Sequence, residues 1–145
     1  MVARITSGSS PAGALFYNKE KIDKERAYLL LCQNALMTTP SDGRLDMIRA
    51  METFQPYLDA NQRTKKMVFH VSLNPAPEDK LTDAQLSGIA QVYMEKMGYG
   101  EQPYFVFKHT DIDRDHLHIV SLRIDSEGRK LPHDFEARRS MDTLR

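Results

Sequence analysis

Hydrophobic and polar residues alternate along several short stretches of the chain, with the period of two that is typical of β-strands. The clearest case is residues 65–73, in which Met67 and every second residue after it are apolar. His70 belongs to the other set, so we expect its side chain on the less apolar face of this strand. Residues 27–33 are mostly apolar and fit either a buried strand or a helix, and we favour a strand.

Other stretches have apolar residues at helical spacing or open with residues that cap helices. Ser10 is a suitable N-cap, and Pro11 suits the first helical position. Thr82 and Gln85 form a capping-box pattern at the start of another helix. The predicted helices cover residues 12–21, 44–57 and 82–97.

Short β-prone segments complete the pattern. The predicted strands are residues 2–6, 27–33, 65–73, 105–109, 116–124 and 129–131. In chain order, strands alternate with helices up to a β-hairpin and a last strand. This order predicts an α+β fold with a largely antiparallel central sheet and helices on at least one face. We expect the hairpin, residues 105–109 and 116–124, to supply two central strands.

The predicted hairpin carries three of the five histidines of the chain within ten residues. His109 and His116 flank its loop, and residues that face each other across an antiparallel pair lie about 4.5–5.5 Å apart. His118 shares a face with His116 because side chains alternate along a strand. The three imidazoles can therefore converge on one metal ion, and three protein ligands leave positions open for catalysis. The alternative is a set of polar side chains on the exposed face of a hairpin.

Asp111 stands two residues after the first of these histidines. A carboxylate at this place can hold the orientation of a ligand histidine or act as a base on a metal-bound group. We therefore count Asp111 among the candidate catalytic residues.

The spacing of these residues resembles a known motif. His109 and Asp111, followed after four residues by His116 and His118, resemble the three-histidine motif of relaxases. Relaxases are the mobilisation nucleases of the HUH endonuclease superfamily, which nick plasmid or conjugative-element DNA at a transfer origin. The resemblance implies the relaxase form of the α+β fold and this nicking activity.

Further segments support the resemblance. Residues 8–17 resemble the nucleophile segment of the family, and residues 69–73 with 81–83 resemble its middle motif. Residues 123–128 resemble the strand and turn that follow the histidines. Together the motifs span residues 4–130. One departure is Leu122, which stands where many family members carry an asparagine, so no asparagine role is transferred to this chain.

The resemblance also implies a nucleophile. Relaxases attack DNA with a tyrosine on the segment that contains Tyr17, which gives a 5′-phosphotyrosine link and a free 3′-hydroxyl. Position alone favours a packing role for Tyr17, because it lies three residues after Ala14 on a predicted helix. Tyr28 is the reserve candidate for the nucleophile.

A divalent metal ion is implied as the cofactor, with Mg or Mn expected in function and Zn, Ni or Co also compatible with nitrogen ligands. His70, Lys19 and Arg123 are the predicted DNA contacts. Lys19 and Arg123 are each, taken alone, more often ordinary solvated charges. A surface or helix-covered histidine is an equally good interpretation of His70, for which the resemblance implies a contact to the substrate phosphate or to a metal ligand rather than to the metal. The implied partners are single-stranded DNA of a transfer origin and other mobilisation proteins.

Composition sets limits rather than a function. The chain has 145 residues, which suits one domain, and its 20 Lys+Arg balance 20 Asp+Glu, so no basic excess marks a nucleic-acid-binding protein. Cys32 is the single cysteine and fits a reducing cytoplasm. No apolar run approaches the roughly 18 residues of a membrane span. Residues 136–145 resemble the opening turns of a helix, so we expect residues 1–145 to be one catalytic domain that is truncated at its C-terminus.

Two other classes of function remain open at this point. His109 and Asp111 with a later histidine superficially resemble the two-histidine, one-carboxylate iron site of oxygenases. The other class is a non-enzymatic DNA-binding or accessory domain that keeps the metal pocket without turnover.

Overall fold

The computed structural model describes residues 1–110, 114–133 and 136–144. In chain order these residues form β1 (Val2–Gly8), α1 (Pro11–Asp23), β2 (Ala27–Gln33), α2 (Met47–Ala60), β3 (Val68–Asn74), α3 (Asp83–Lys96), β4 (Tyr104–His109), β5 (His116–Leu122) and α4 (Glu136–Thr143). The strand favoured for residues 27–33 is confirmed. Within the described residues, no helix has both the length and the apolar character that crossing a membrane requires.

The strands of the described residues form one five-stranded antiparallel sheet with the order β1-β3-β5-β4-β2. The hairpin of β4 and β5 pairs His109 with His116 across its neck. Because β5 is the middle strand and β4 lies beside it, the prediction that the hairpin supplies two inner strands is confirmed. On its other side β5 pairs with β3, which brings His70 close to the histidines of β5.

Helices cover both faces of this sheet, which confirms the predicted α+β fold. One face packs against α3 and α4 through a core that includes Phe69 and Met94. The other face packs against α1 and α2 through a core that includes Leu15, Phe54 and Phe105. These side chains are fully buried, and each contributes about 1.5–3 kcal/mol by leaving water.

Two helices, α1 and α3, begin where their capping residues predict, whereas the helix predicted for residues 44–57 begins only at Met47, after the N-cap Asp46, and extends to Ala60. The Ser10 hydroxyl accepts a hydrogen bond from the Gly13 amide at 2.9 Å, and Pro11 is the first residue of α1. Thr82 and Gln85 exchange the two hydrogen bonds of a capping box at the start of α3. An N-cap of this kind stabilises a helix by about 1 kcal/mol. It therefore also fixes the first turn of α1, the helix that carries Tyr17.

The strand predicted for residues 129–131 is wrong. Lys130 makes a single β-bridge to Ile124, and the described residues around it form no extended strand pairing. Asp125 accepts hydrogen bonds at its side chain from the backbone amides of Glu127 and Arg129, which closes a tight turn. Because these backbone amides bond to the Asp125 side chain within the turn, they do not pair with a neighbouring strand, and the pairing stops after one bridge.

Candidate active site

The three hairpin histidines meet on the face of the sheet that α1 covers. His109 ends β4, His116 begins β5 and His118 lies two residues further along. One nitrogen atom of each ring lies within 4.8 Å of the other two. His109 is buried, whereas His116 and His118 are partly exposed, so the cluster opens to solvent on one side. Neutral imidazoles are common metal ligands, and this donor set fits a divalent ion with open coordination positions.

Tyr17 lies directly beside this cluster. Its ring centroid is 6.1 Å from that of His109 and 6.1 Å from that of His118, and it is inclined by 23° to the His109 ring. The side chain is 44% exposed, so the phenol can reach a bound substrate. Because Leu15 and not Tyr17 fills the core under α1, the packing role that position alone favours for Tyr17 is not what the structure shows.

Among the described residues, His70 and Asn18 lie outside the cluster and within hydrogen-bond distance of its rings. His70 Nε2 lies 2.9 Å from His118 Nδ1, as expected once β3 and β5 are neighbours. Burial lowers the pKa of His70, which favours the neutral ring that can accept a hydrogen bond. The other is Asn18, whose Oδ1 lies 2.7 Å from His109 Nε2. Sequence reasoning did not single out Asn18, although it directly follows Tyr17.

A cavity of about 660 Å³ adjoins the cluster. Its wall includes Tyr17, His116 and His118 together with two cationic side chains, Arg4 and Arg114. Among the described residues, no carboxylate lines it. Such a surface suits an anionic substrate. Sequence reasoning also missed both arginines, and the alternation of β1 is the only signal that could have pointed to one of them.

Arg4 reaches this cavity through the register of the sheet. It pairs with Ser72 across β1 and β3, and Ser72 pairs with His118 across β3 and β5. Residues that face each other across antiparallel strands share a face, so all three lie in one row on the side of the histidines. That row depends on which strands are neighbours, which the local sequence does not specify.

Arg123, a predicted DNA contact, is buried in the structure and does not face a surface that DNA could reach. The side chain is 1% exposed, and its guanidinium makes two hydrogen bonds to Glu136, at 3.1 and 2.7 Å. It also donates to the Val68 carbonyl and lies 5.4 Å from the Phe69 ring centroid. Arg123 therefore lies in the interior between the sheet and α4, where its charge is already compensated.

Lys19 lies on α1, two residues beyond Tyr17, and its ammonium pairs with Asp23 at 2.9 Å. It does not line the cavity beside the histidines. Asp111, the predicted catalytic carboxylate, lies outside the described residues.

The reserve nucleophile Tyr28 is not brought to the histidines. Its hydroxyl donates a hydrogen bond to Asp83 at 2.7 Å, and the Lys108 ammonium binds the same carboxylate at 2.8 Å. Burial raises the pKa of Tyr28. Lys108 alternates with His109 along β4, so this network lies on the opposite face of the sheet.

Comparison with protein families agrees with this geometry. A family model described as relaxase, MobA/VirD2-like, nuclease domain matches residues 17–145. Comparison with curated proteins and with solved structures finds no match. The matched region contains Tyr17 and the three clustered histidines and extends over most of the chain. The chain therefore belongs to the relaxase family of MobA/VirD2-like nuclease domains.

Proposed function

We propose that this domain nicks single-stranded DNA at a transfer origin by transferring a phosphodiester to Tyr17. The observation that carries the proposal is the position of the Tyr17 ring, 6.1 Å from two rings of the histidine cluster and beside an open cavity. Membership of the relaxase family supports a DNA endonuclease and a single-stranded DNA substrate.

His109, His116 and His118 would hold the divalent ion, with Mg or Mn as the proposed ion in function and Zn, Ni or Co as alternatives. When bound, the ion supplies a positive charge that polarises a non-bridging phosphate oxygen and offsets the negative charge of the transition state. His70 would orient His118 rather than bind the ion, since its Nε2 is already hydrogen-bonded to that ring.

Tyr17 supplies the nucleophile. Its Oη forms a bond to phosphorus while the bond between phosphorus and the 3′-oxygen breaks, so the products are a 5′-phosphotyrosine and a 3′-hydroxyl. We propose that Asp111 accepts the phenol proton and that the 3′-oxygen takes a proton from solvent water as it leaves. One phosphodiester replaces another, so the reaction can run backwards and rejoin the strand.

The cavity would hold the DNA strand next to the scissile phosphate. Arg4 and Arg114 are the proposed phosphate contacts, because both line the cavity with Tyr17. Lys19 remains a proposed contact at the rim of α1, and it would exchange its pairing with Asp23 for a phosphate. Other mobilisation proteins are proposed as partners on the strength of the family alone.

The experiment is incubation with single-stranded transfer-origin oligonucleotides and Mn or Mg, followed by a denaturing gel. We expect a slower, protein-linked DNA band that Tyr17→Phe abolishes. Tyr28→Phe is the matched control, because Tyr28 lies on the opposite face of the sheet, and it should keep the band. A band that survives in Tyr17→Phe would assign the nucleophile elsewhere. Metal binding without a band for any such DNA would contradict the nicking activity and favour a DNA-binding module.

A further inference from the structure

Asn18 is a buried polar residue that joins the helix of Tyr17 to the histidine cluster. It is 0% exposed, and it extends from α1 towards the end of β4. Burying a polar amide is unfavourable unless its hydrogen bonds are made. Packing alone would be met by an apolar side chain. The hydrogen bonds of the amide are therefore the reason to expect a specific role for Asn18.

The two hydrogen bonds of Asn18 fix the orientation of its amide. Its Nδ2 donates to the Ala14 carbonyl at 2.9 Å, and its Oδ1 lies 2.7 Å from His109 Nε2. A backbone carbonyl can only accept, so the amide nitrogen must face Ala14 and the oxygen must face His109. Because that oxygen can also only accept, Nε2 of His109 must carry the hydrogen.

We propose that Asn18 is a positioning residue that fixes the tautomer and orientation of His109, so that the Nδ1 lone pair is the one offered to a metal ion. This inference rests on the proposed metal site. In a neutral imidazole whose Nε2 carries the hydrogen, Nδ1 is the remaining acceptor. Hydrogen bonds to the second nitrogen of a ligand histidine commonly set its tautomer in this way.

The same bond links the metal site to the nucleophile. Asn18 follows Tyr17 directly, and its amide ties this turn of α1 to the last residue of β4. A rotation of α1 that displaced the Tyr17 ring would also break the bond to His109. Asn18 therefore positions the nucleophile and the metal ligand relative to one another.

The first test needs neither DNA nor a variant. Nitrogen-15 NMR of the histidine rings in the metal-free wild-type protein reports which nitrogen carries the hydrogen. We expect His109 in the Nε2–H form. An Nδ1–H form of His109 would overturn the proposal. The result is independent of nicking, so it separates this proposal from the proposed function.

The second test measures Mn²⁺ binding by calorimetry in two substitutions of Asn18. Asn18→Leu keeps the number and branching of the side-chain heavy atoms and removes both the acceptor and the donor, and we expect about 10- to 100-fold weaker binding. Asn18→Asp loses the donor to the Ala14 carbonyl but keeps an oxygen that accepts from Nε2–H, and we expect it to bind Mn²⁺ within about threefold of wild type. A loss in Asn18→Asp as large as that in Asn18→Leu would contradict the assignment.

Gln102→Leu is the matched control for loss of a buried amide. Gln102 is 5% exposed and donates to the carbonyls of Leu122 and Ile124, away from the cavity. We expect this variant to lower thermal stability and leave Mn²⁺ affinity unchanged. Equal losses of affinity in Gln102→Leu and Asn18→Leu would mean that Asn18 acts through stability alone. If Asn18→Leu does not fold, the NMR result and Asn18→Asp decide the matter.

Discussion

Tyr17 illustrates how one residue acquires its role from the phase of its helix. The cap at Ser10 sets the start of α1, and from that start Leu15 and Asn18 face inward while Tyr17 remains 44% exposed. Its ring therefore lies at the open side of the histidine cluster. A shift of the helix by one residue would move the phenol to the buried position of Asn18 or to the exposed position of Phe16, so the cap supports the site as well as the helix.

Arg123 is a buried charge whose ion pair with Glu136 stabilises the fold. Replacing Glu136 by Leu leaves the buried guanidinium without its carboxylate, and we expect this to lower the free energy of unfolding by about 3–5 kcal/mol. Urea denaturation measures the loss. The double variant Arg123→Met with Glu136→Leu should recover part of it, because no unpaired charge is then buried. A single variant within about 1 kcal/mol of wild type would contradict the ion pair.

Residue positions that depend on a local pattern could be predicted from the sequence, whereas those that depend on contacts between distant segments could not. The convergence of His109, His116 and His118 follows from alternation within one hairpin, so the sequence was sufficient for it. Asn18 approaches His109 from a helix 91 residues earlier in the chain, and that proximity exists only after folding. Arg123 was misassigned because its partner Glu136 lies beyond the sheet, on α4.

At the scale of elements, hydrogen-bonded networks attach helices to strands. Asp83 at the start of α3 accepts hydrogen bonds from Lys108 on β4 and Tyr28 on β2. The hydrogen bond from Lys108 holds the pKa of Asp83 below its usual range. The ionised carboxylate therefore stabilises the folded state. Its partner Lys108 is the residue before His109 on β4, so the network holds the strand next to the histidine cluster, on the opposite face of the sheet.

The network predicts a pH dependence of stability. A depressed pKa in the folded state contributes stability above the unfolded value of about 3.9, and the contribution is lost as the pH falls through the folded value. We expect Asp83→Asn to melt at a lower temperature than wild type at pH 7. The difference should shrink below about pH 4. Thermal melts across pH measure it, and an exposed control, Glu78→Gln, should show little change. A difference that persists undiminished at low pH would contradict the role of the carboxylate.

Element boundaries and element neighbours also differ in how far they can be predicted. Caps at Ser10 and Thr82 and the alternation of β3 are local, and the structure follows them. The order β1-β3-β5-β4-β2 places strands side by side that are distant in the chain. No local pattern specifies such pairing, so the row of Arg4, Ser72 and His118 could not be predicted.

On the scale of the whole molecule, charge is distributed unevenly although the total is balanced. The 20 basic and 20 acidic side chains give no net charge. The cavity beside the histidines nevertheless has two arginines and no carboxylate among the described residues of its wall. A local field of this kind can attract a nucleic-acid strand without a basic total.

This distribution predicts the salt dependence of DNA binding. Arg4→Met and Arg114→Met should each weaken binding of a single-stranded oligonucleotide. Each should also reduce the slope of log affinity against log salt by about 0.7, the value for one lost phosphate contact. Fluorescence anisotropy in metal-free buffer measures both quantities. Arg63→Met is the control, because Arg63 is exposed and does not line the cavity. Equal slopes for all three variants would contradict the proposed path of the strand.

In the proposed reaction Tyr17 forms the covalent link to DNA. The most direct measurement is mass spectrometry of the protein–DNA adduct after nuclease and trypsin digestion. We predict that the nucleotide mass is attached to the peptide of residues 5–19 and that fragmentation assigns it to Tyr17. An adduct on the peptide that contains Tyr28, or on any other residue, would contradict the account.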